Sequence, residues 1–212
     1  STVINRALPV EGDFYTTEFE LPADIVAISD SFNVGGKTSP FGSWGRVSGN
    51  TVVTGNPIPI REAGPKLGDI LEPSSEVGAE FWISSEEELS KWKFQKGAKS
   101  IERQTKEGYT YFYSEGKMSF PDSLESPSRT VLTGEGGRSP SRFKHVVMID
   151  GRYRRLTPKE LERLNGFPDD WTRFATSSKE FSNNRRAFFM GNALVVGIVQ
   201  RIAAEIHSEP SE

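Results

Sequence analysis

An α+β fold, with a small, irregular, mostly antiparallel sheet region followed by C-terminal helices, is what this sequence predicts. Three observations carry that expectation. Only 35% of the 212 residues are hydrophobic, and the mean hydropathy is −0.49, too polar for a helical bundle. Twenty glycines and thirteen prolines interrupt the chain, which favours short strands joined by loops. The fullest helix-start signal and an unbroken apolar run lie in the last third.

The elements follow in order. Val47-Ser48-Gly49-Asn50-Thr51-Val52-Val53 reads as a hairpin around a Gly-Asn turn. Ala79-Glu80-Phe81-Trp82-Ile83-Ser84 is a candidate strand, and Ser84-Ser85-Glu86-Glu87-Glu88-Leu89 has the spacing of a capped short helix. From Lys91 to Lys106, five lysines and one arginine stand against Glu102 alone, a local charge of +5, and this run is expected to be a loop. Residues 109–113, 129–133 and 145–149 have strand composition. Thr157-Pro158-Lys159-Glu160 combines a Thr N-cap, a Pro at the first helical position and a Glu that closes a capping box. Helices are expected near Pro158–Asn165, Ser178–Met190 and Ala193–Ile206. The last begins Leu194-Val195-Val196-Gly197-Ile198-Val199, apolar on every side, so it needs surrounding surface from its own core or from a partner.

Composition also excludes. There is no cysteine, so disulfides, thiolate zinc sites and a thiol nucleophile are absent from these residues. His145 and His207 make a poor metal pair, so no metal site is expected here. No stretch approaches the roughly 20 uninterrupted apolar residues of a membrane span, and residues 1–6 lack a signal-peptide pattern. The expectation is a soluble, cytoplasmic protein with no membrane contact. A net charge of −3 gives no overall attraction to nucleic acid, so such binding has to come from local clusters.

Arg154-Arg155-Leu156-Thr157-Pro158-Lys159-Glu160-Leu161-Glu162-Arg163-Leu164-Asn165-Gly166-Phe167-Pro168-Asp169 resembles the ninth motif of the DNA (cytosine-5) methyltransferases, R-x-L-T-x-x-E-x-x-R-L-x-G-F-P-D. Gly191-Asn192-Ala193-Leu194-Val195-Val196 resembles the tenth, G-N-[AS]-V-x-x, with departures at Leu194 and Val196. Pro127 to Gly137, with Thr130-Val131, is similar to the target-recognition region. Phe32 to Gly42 and Ser90 to Arg103 look like a bacterial restriction-modification subgroup. The resemblance implies four parts: a connecting segment at 1–29, a target-recognition region at 30–150, a ninth-motif helix region at 151–175 and C-terminal helices at 176–212.

In that family a cysteine thiolate adds to C6 of cytosine, and the activated C5 attacks the methyl of S-adenosylmethionine. The thiolate, the glycine-rich cofactor loop and the other catalytic motifs have no counterpart in these residues. What the resemblance assigns to this part is holding double-stranded DNA with a flipped cytosine and reading its sequence. One DNA-facing loop is expected at Lys93, Lys96, Lys99 and Arg103. A second, beside Thr130, is expected at Gly134, Glu135, Gly136, Gly137, Arg138, Ser139, Ser141 and Arg142, its glycines allowing close approach to DNA. Arg154 is placed in support of these loops, and Arg163 is as well explained by pairing inside the domain. Asn192 and Ala193 are implied at the edge of a cofactor pocket formed mainly by a catalytic domain.

The leading expectation is the recognition part of an S-adenosylmethionine-dependent cytosine-5 methyltransferase, a subunit or fragment inactive alone and completed by a catalytic domain or subunit. A non-catalytic, sequence-specific DNA-binding module derived from such an enzyme is the alternative. A protein-interaction domain is a third.

Overall fold

The computed structural model describes residues 3–11, 16–31, 42–60, 62, 64–176 and 179–208. The stretch from Phe32 to Phe41 singled out above lies outside them. The chain forms two compact units, residues 1–63 with 201–212, and residues 64–200. That division falls inside the 30–150 span that the motifs group together.

In the first unit, α1 (Val3–Ala7), β1 (Val10–Glu11), β2 (Thr16–Glu20) and α2 (Ile25–Ser31) precede β3 (Trp44–Ser48), β4 (Thr51–Gly55) and β5 (Ile58–Pro59). The Gly49-Asn50 turn joins β3 and β4 in the expected hairpin, with Val47 opposite Val52. β2 pairs antiparallel on the other side of β4, giving the order β2-β4-β3, and β1 pairs with β5. Within the segment 1–29 expected to be connecting, β2 thus takes part in a sheet. Glu20 in β2 faces Thr51 across the sheet, so the segment supplies a strand to the three-stranded ladder.

The second unit holds α3 (Glu86–Lys96), the β6–β7 ribbon (Lys99–Gln104, Thr110–Glu115), the β8–β9 hairpin (Val146–Ile149, Arg152–Arg155), α4 (Pro158–Leu164), the short β10–β11 pair (Phe174–Thr176, Lys179–Glu180) and α5 (Asn183–Asn192). The last helix, α6 (Val196–His207), begins in this unit and continues into the first. The core gathers Leu67, Ile70, Val147, Leu156, Leu161, Ala187 and Met190, so β8, β9, α4 and α5 close on one another. Small antiparallel sheets with C-terminal helices make this an α+β structure.

Local chemistry explains both agreements and departures. α4 starts as expected: the Thr157 hydroxyl accepts from the Glu160 N–H at 3.2 Å, and Glu160 accepts from the Thr157 N–H at 2.8 Å. Residues 79–84 form a 3-10 turn and one bridge, Trp82 to Arg154, rather than a strand. Residues 129–133 form no strand either. The Arg129 guanidinium fixes that segment by donating to Asp122 at 2.8 and 3.2 Å and to the Phe143 and Lys144 carbonyls. The run 91–106 is the end of α3 and all of β6, not a loop.

α5 begins at Asn183, where the Ser182 hydroxyl accepts from the Arg185 N–H, and not at Ser178. Residues 183–207 have the length of a membrane span, and an 18-residue window within them has a mean hydropathy of 1.5. They are nonetheless two helices of 10 and 12 residues, because Ala193–Val195 leave the helical path. Neither helix alone reaches the ~20 residues needed to cross a bilayer.

Candidate nucleic-acid interface

The first basic region is built on α3 and the β6–β7 ribbon. Trp92 and Lys96, four residues apart, form the buried face of α3, and Lys93 points outward. Lys96 is only 1% exposed. Its ammonium donates to the Lys144 carbonyl and lies 3.9 Å from Asp122, and burial pushes its pKa down to about 8. Lys96 is thus a frame residue rather than a phosphate contact. Burial opposes ionisation of Asp122 too, but the Arg129 guanidinium and the Val146 N–H outweigh it and hold that carboxyl below its ordinary range.

The ribbon pairs Lys99 with Glu115 and Gln104 with Thr110 and is exposed along nearly its whole length. Alternation puts Lys99, Ile101, Arg103, Tyr111, Tyr113 and Glu115 on one face and Ser100, Glu102, Gln104, Thr110, Phe112 and Ser114 on the other. Lys99 is paired with Glu115 at 2.9 Å, and the Arg103 guanidinium stacks 4.0 Å from the Tyr113 ring. Tyr109 at 70% and Phe112 at 67% exposure have little to bury them within the chain.

The second region runs from Thr130 to Arg142, and three buried charged side chains brace it from beneath. Glu135 turns inward, accepting from the His145 N–H at 3.0 Å and facing its Nδ1 at 2.8 Å. The Lys144 ammonium donates to the carbonyls of Gly137 and Ser139, at 2.8 and 2.6 Å. The Arg155 guanidinium donates to the carbonyls of Gly136, Gly137 and Glu80. Glu135 therefore does not face a groove as a base acceptor: its two oxygens are spent on His145.

The glycines do different work from that expected. A Cβ on Gly136 would stand 2.7 Å from the Asn184 Cα and 2.9 Å from the Ala187 Cβ. A Cβ on Gly191 would stand 2.2 Å from the Thr133 nitrogen. Their missing side chains let the loop lie directly on α5. What remains outward is Thr130, Leu132, Thr133, Gly134, Arg138 and Ser139. The Ser141 hydroxyl accepts from the Phe143 N–H at 3.4 Å. Arg142 joins the two regions, donating to Glu115 at 3.3 Å and to the Gly116 carbonyl at 2.6 Å.

Arg154 is fully buried and forks onto Glu160, also fully buried, at 2.6 and 2.9 Å. Arg163 forks onto Asp169 at 2.7 Å through two nitrogens and donates to the Ile70 carbonyl. The fixed positions of the ninth-motif string are largely the ties of the frame. Sequence reading passed over Arg152, exposed and stacked 4.1 Å from Trp82, and the exposed Lys117, while the exposed Lys106 closes the basic run noted above. Strand alternation gave no signal for the first, since burial rises along Arg152–Arg155 instead of alternating.

Asn192 is exposed and its amide donates to the Phe188 carbonyl at 2.9 Å, while the Ala193 N–H bonds the Met190 carbonyl at 3.3 Å. Beside them lies a hollow of about 330 Å³ bordered by Thr130, Asn165, Gly191 and Ala193, with no carboxylate in its lining. S-adenosylmethionine carries an ammonium group and a ribose diol that call for acidic partners, so these residues do not form a site for it by themselves.

Residues 30–208 match the family described as C-5 cytosine-specific DNA methylase. The chain is 42% identical over 183 residues, 86% of its length, to the Type II methyltransferase M.Sau3AI of Staphylococcus aureus, and it spans 40% of that protein. With the match extending over most of the sequence, the chain belongs to the C-5 cytosine-specific DNA methylase family.

Proposed function

We propose that these residues are the target-recognition and C-terminal part of a DNA cytosine-5 methyltransferase, and that a catalytic domain or subunit supplies the thiolate and the cofactor site. The observation that carries the reading is the loop from Thr130 to Arg142. Buried Lys144, Arg155 and Glu135 fix its backbone from inside, so that Thr130, Thr133, Arg138 and Ser139 stand outward in a set position. A braced loop with an unpaired guanidinium and hydroxyls suits base-edge and phosphate contacts, because little ordering entropy is left to lose on binding.

In this reading the chain's task is to hold the duplex in register while the target cytosine is turned out of the stack. The outward lysines Lys93 and Lys106, with Arg103 and Arg138, grip the strands, and the ribbon has the width that a major groove admits. The reading makes the whole protein a restriction-modification methyltransferase acting in the cytoplasm, in keeping with its Type II methyltransferase relative. The absence of cysteine from the 212 residues supports the need for a catalytic partner.

Exposed apolar surface where α5 meets α6 favours this over a free-standing DNA-binding module. Leu194 is 74% exposed, with Val195, Ile198 and Val199 exposed around it. The test is transfer of labelled methyl from S-adenosylmethionine to mixed-sequence DNA by the chain alone and with the catalytic half of a related enzyme. Activity only in the mixture supports the proposal. Activity of the chain alone overturns it, and DNA binding without complementation transfers the assignment to the free-standing module.

A further inference from the structure

A cavity of about 410 Å³ opens beside the glycine-rich loop, bordered by Arg138, Arg155, Gly136, Glu80 and the first residues of α5. Arg155 is only 4% exposed, and each of its hydrogen bonds goes to a backbone carbonyl. Its charge is buried without a carboxylate partner, which the interior tolerates poorly. Burial, and then the nearby Arg138 charge, both press its pKa downward. Arg138 is exposed and has no hydrogen-bond or ion-pair partner among the described residues. Two cations thus meet at one hollow, and neither is ion-paired with a carboxylate among the described residues.

The third wall is the start of α5. The Ser182 hydroxyl caps the Arg185 N–H, and the N–H groups of Asn183 and Asn184, as the first two of a ten-residue helix, have no acceptor within the helix. Glu80 is the one acid at the rim, and the Asn183 amide donates to it at 3.3 Å. One carboxylate against two guanidinium groups and a helix start leaves the hollow positive.

We infer that this cavity is a phosphate site, occupied by a backbone phosphate of the bound DNA, which seats the loop from Gly134 to Ser139 against the duplex. The inference rests on the DNA-reading role proposed above and adds a contact that sets register without reading bases. Arg138 is then a positioning residue rather than a base reader, and Glu80 limits the strength of the contact.

The experiment compares wild type, Arg138→Ala and Glu80→Gln in fluorescence-anisotropy titrations of target and non-target duplexes over a range of salt. It also follows the Asn183 and Asn184 amide resonances while inorganic phosphate, then DNA, is added. Both substituted side chains are at the surface, and equal thermal midpoints verify folding. For Arg138→Ala the expected result is weaker binding to both duplexes alike, with the slope of log affinity against log salt shallower by about 0.9. Glu80→Gln is expected to tighten binding several-fold on both, and DNA is expected to shift both amides.

Loss of discrimination between the duplexes with an unchanged salt slope overturns the phosphate assignment in favour of base reading. Amide shifts with inorganic phosphate that DNA neither reproduces nor competes with overturn the DNA assignment and leave a free-phosphate site. If wild type shows no salt-sensitive DNA binding, the recognition role itself fails, and the phosphate titration then judges the cavity separately: no amide shift removes the site.

Discussion

Replacing Arg154 by alanine separates a frame residue from a DNA contact. The guanidinium lies between β9 and the start of α4, fully buried, with bonds of 2.6 and 2.9 Å to Glu160 and a third to its neighbour's carbonyl. Glu160 in turn accepts from the N–H groups of Thr157 and Glu72. The Glu72 carboxylate is bonded by the Thr157 hydroxyl and the Lys159 ammonium. Without Arg154, the buried Glu160 carboxylate loses its ion-pair partner and keeps the N–H donors of Thr157 and Glu72. Removing one partner of a buried pair costs about 3 to 5 kcal/mol, most of it the stranded charge. For a chain of 212 residues that lowers the unfolding midpoint by roughly 6 to 20 °C, at about 2 to 4 °C per kcal/mol.

Thermal unfolding followed by circular dichroism, with DNA binding measured well below the variant's midpoint, tests this directly. The expected result is a large loss of stability with near-normal affinity in the folded variant. Arg154→Met combined with Glu160→Leu is expected to recover much of the loss, because an apolar pair of similar volume removes both charges together. An Arg154→Ala protein that melts like wild type but binds DNA with a shallower salt dependence would refute the frame assignment.

Gly191→Ala and Gly136→Ala each force a Cβ into backbone or a packed Cβ at under 3 Å. Each is expected to cost about 1 to 3 kcal/mol or more by overpacking, read as a drop in urea midpoint; unchanged midpoints would show that the loop does not rest on α5. Lys96 has its ordinary pKa of 10.5 when unfolded and about 8 when folded. Between those values the unfolded chain holds the extra proton, so this residue makes stability rise from about pH 8 towards 10.5 and lowers it below 8. Lys96→Met leaves Asp122 bonded by Arg129 and Val146, and the Lys144 carbonyl bonded by Arg129. It is expected to match or exceed wild-type stability at pH 7 and to lose that part of the pH rise in urea titrations at pH 7, 8 and 10; a rise equal to wild type would count against burial of the charge. Leu194→Asp with Ile198→Asp is expected to abolish complementation by a catalytic half while DNA affinity stays within about twofold, since both residues are exposed and outside the loops.

Local signals made much of the fold legible. The Gly49-Asn50 hairpin and the capped start of α4 are decided within four to seven residues of sequence, and both stand where their turn and cap residues put them. Residues 129–133 have strand composition but are held by a guanidinium that reaches Asp122, a tertiary contact that no window of sequence contains. The run 91–106 looked like one solvated loop because α3 has no apolar stripe: its buried face is Trp92 with a lysine, and a lysine inside a helix face is silent to hydropathy. For the candidate site, the sequence located the loop but not its inside. Glu135 and Arg138 differ little in a text of glycines and polar residues, yet His145, ten residues from Glu135, turns one inward while the other has no partner.

Positive charge in the second unit is thereby divided between two tasks. Lys96, Lys144, Arg154, Arg155 and Arg186 are buried and bonded to carbonyls or acids. Lys93, Lys106, Arg138 and Arg152 are outward. The inner set is costly, since each cation gives up hydration. What it secures is a loop whose Gly134, Gly136, Gly137 and Ser139 carbonyls are already bonded, leaving its outward side chains as the means of meeting DNA. A protein with net charge −3 can therefore present a local positive surface without carrying it over the whole molecule. Neutralising an outer cation should weaken binding and flatten its salt dependence in a folded protein, whereas neutralising an inner one should first loosen the loop and lower the melting point. Measuring both quantities on the same variants distinguishes the two sets residue by residue.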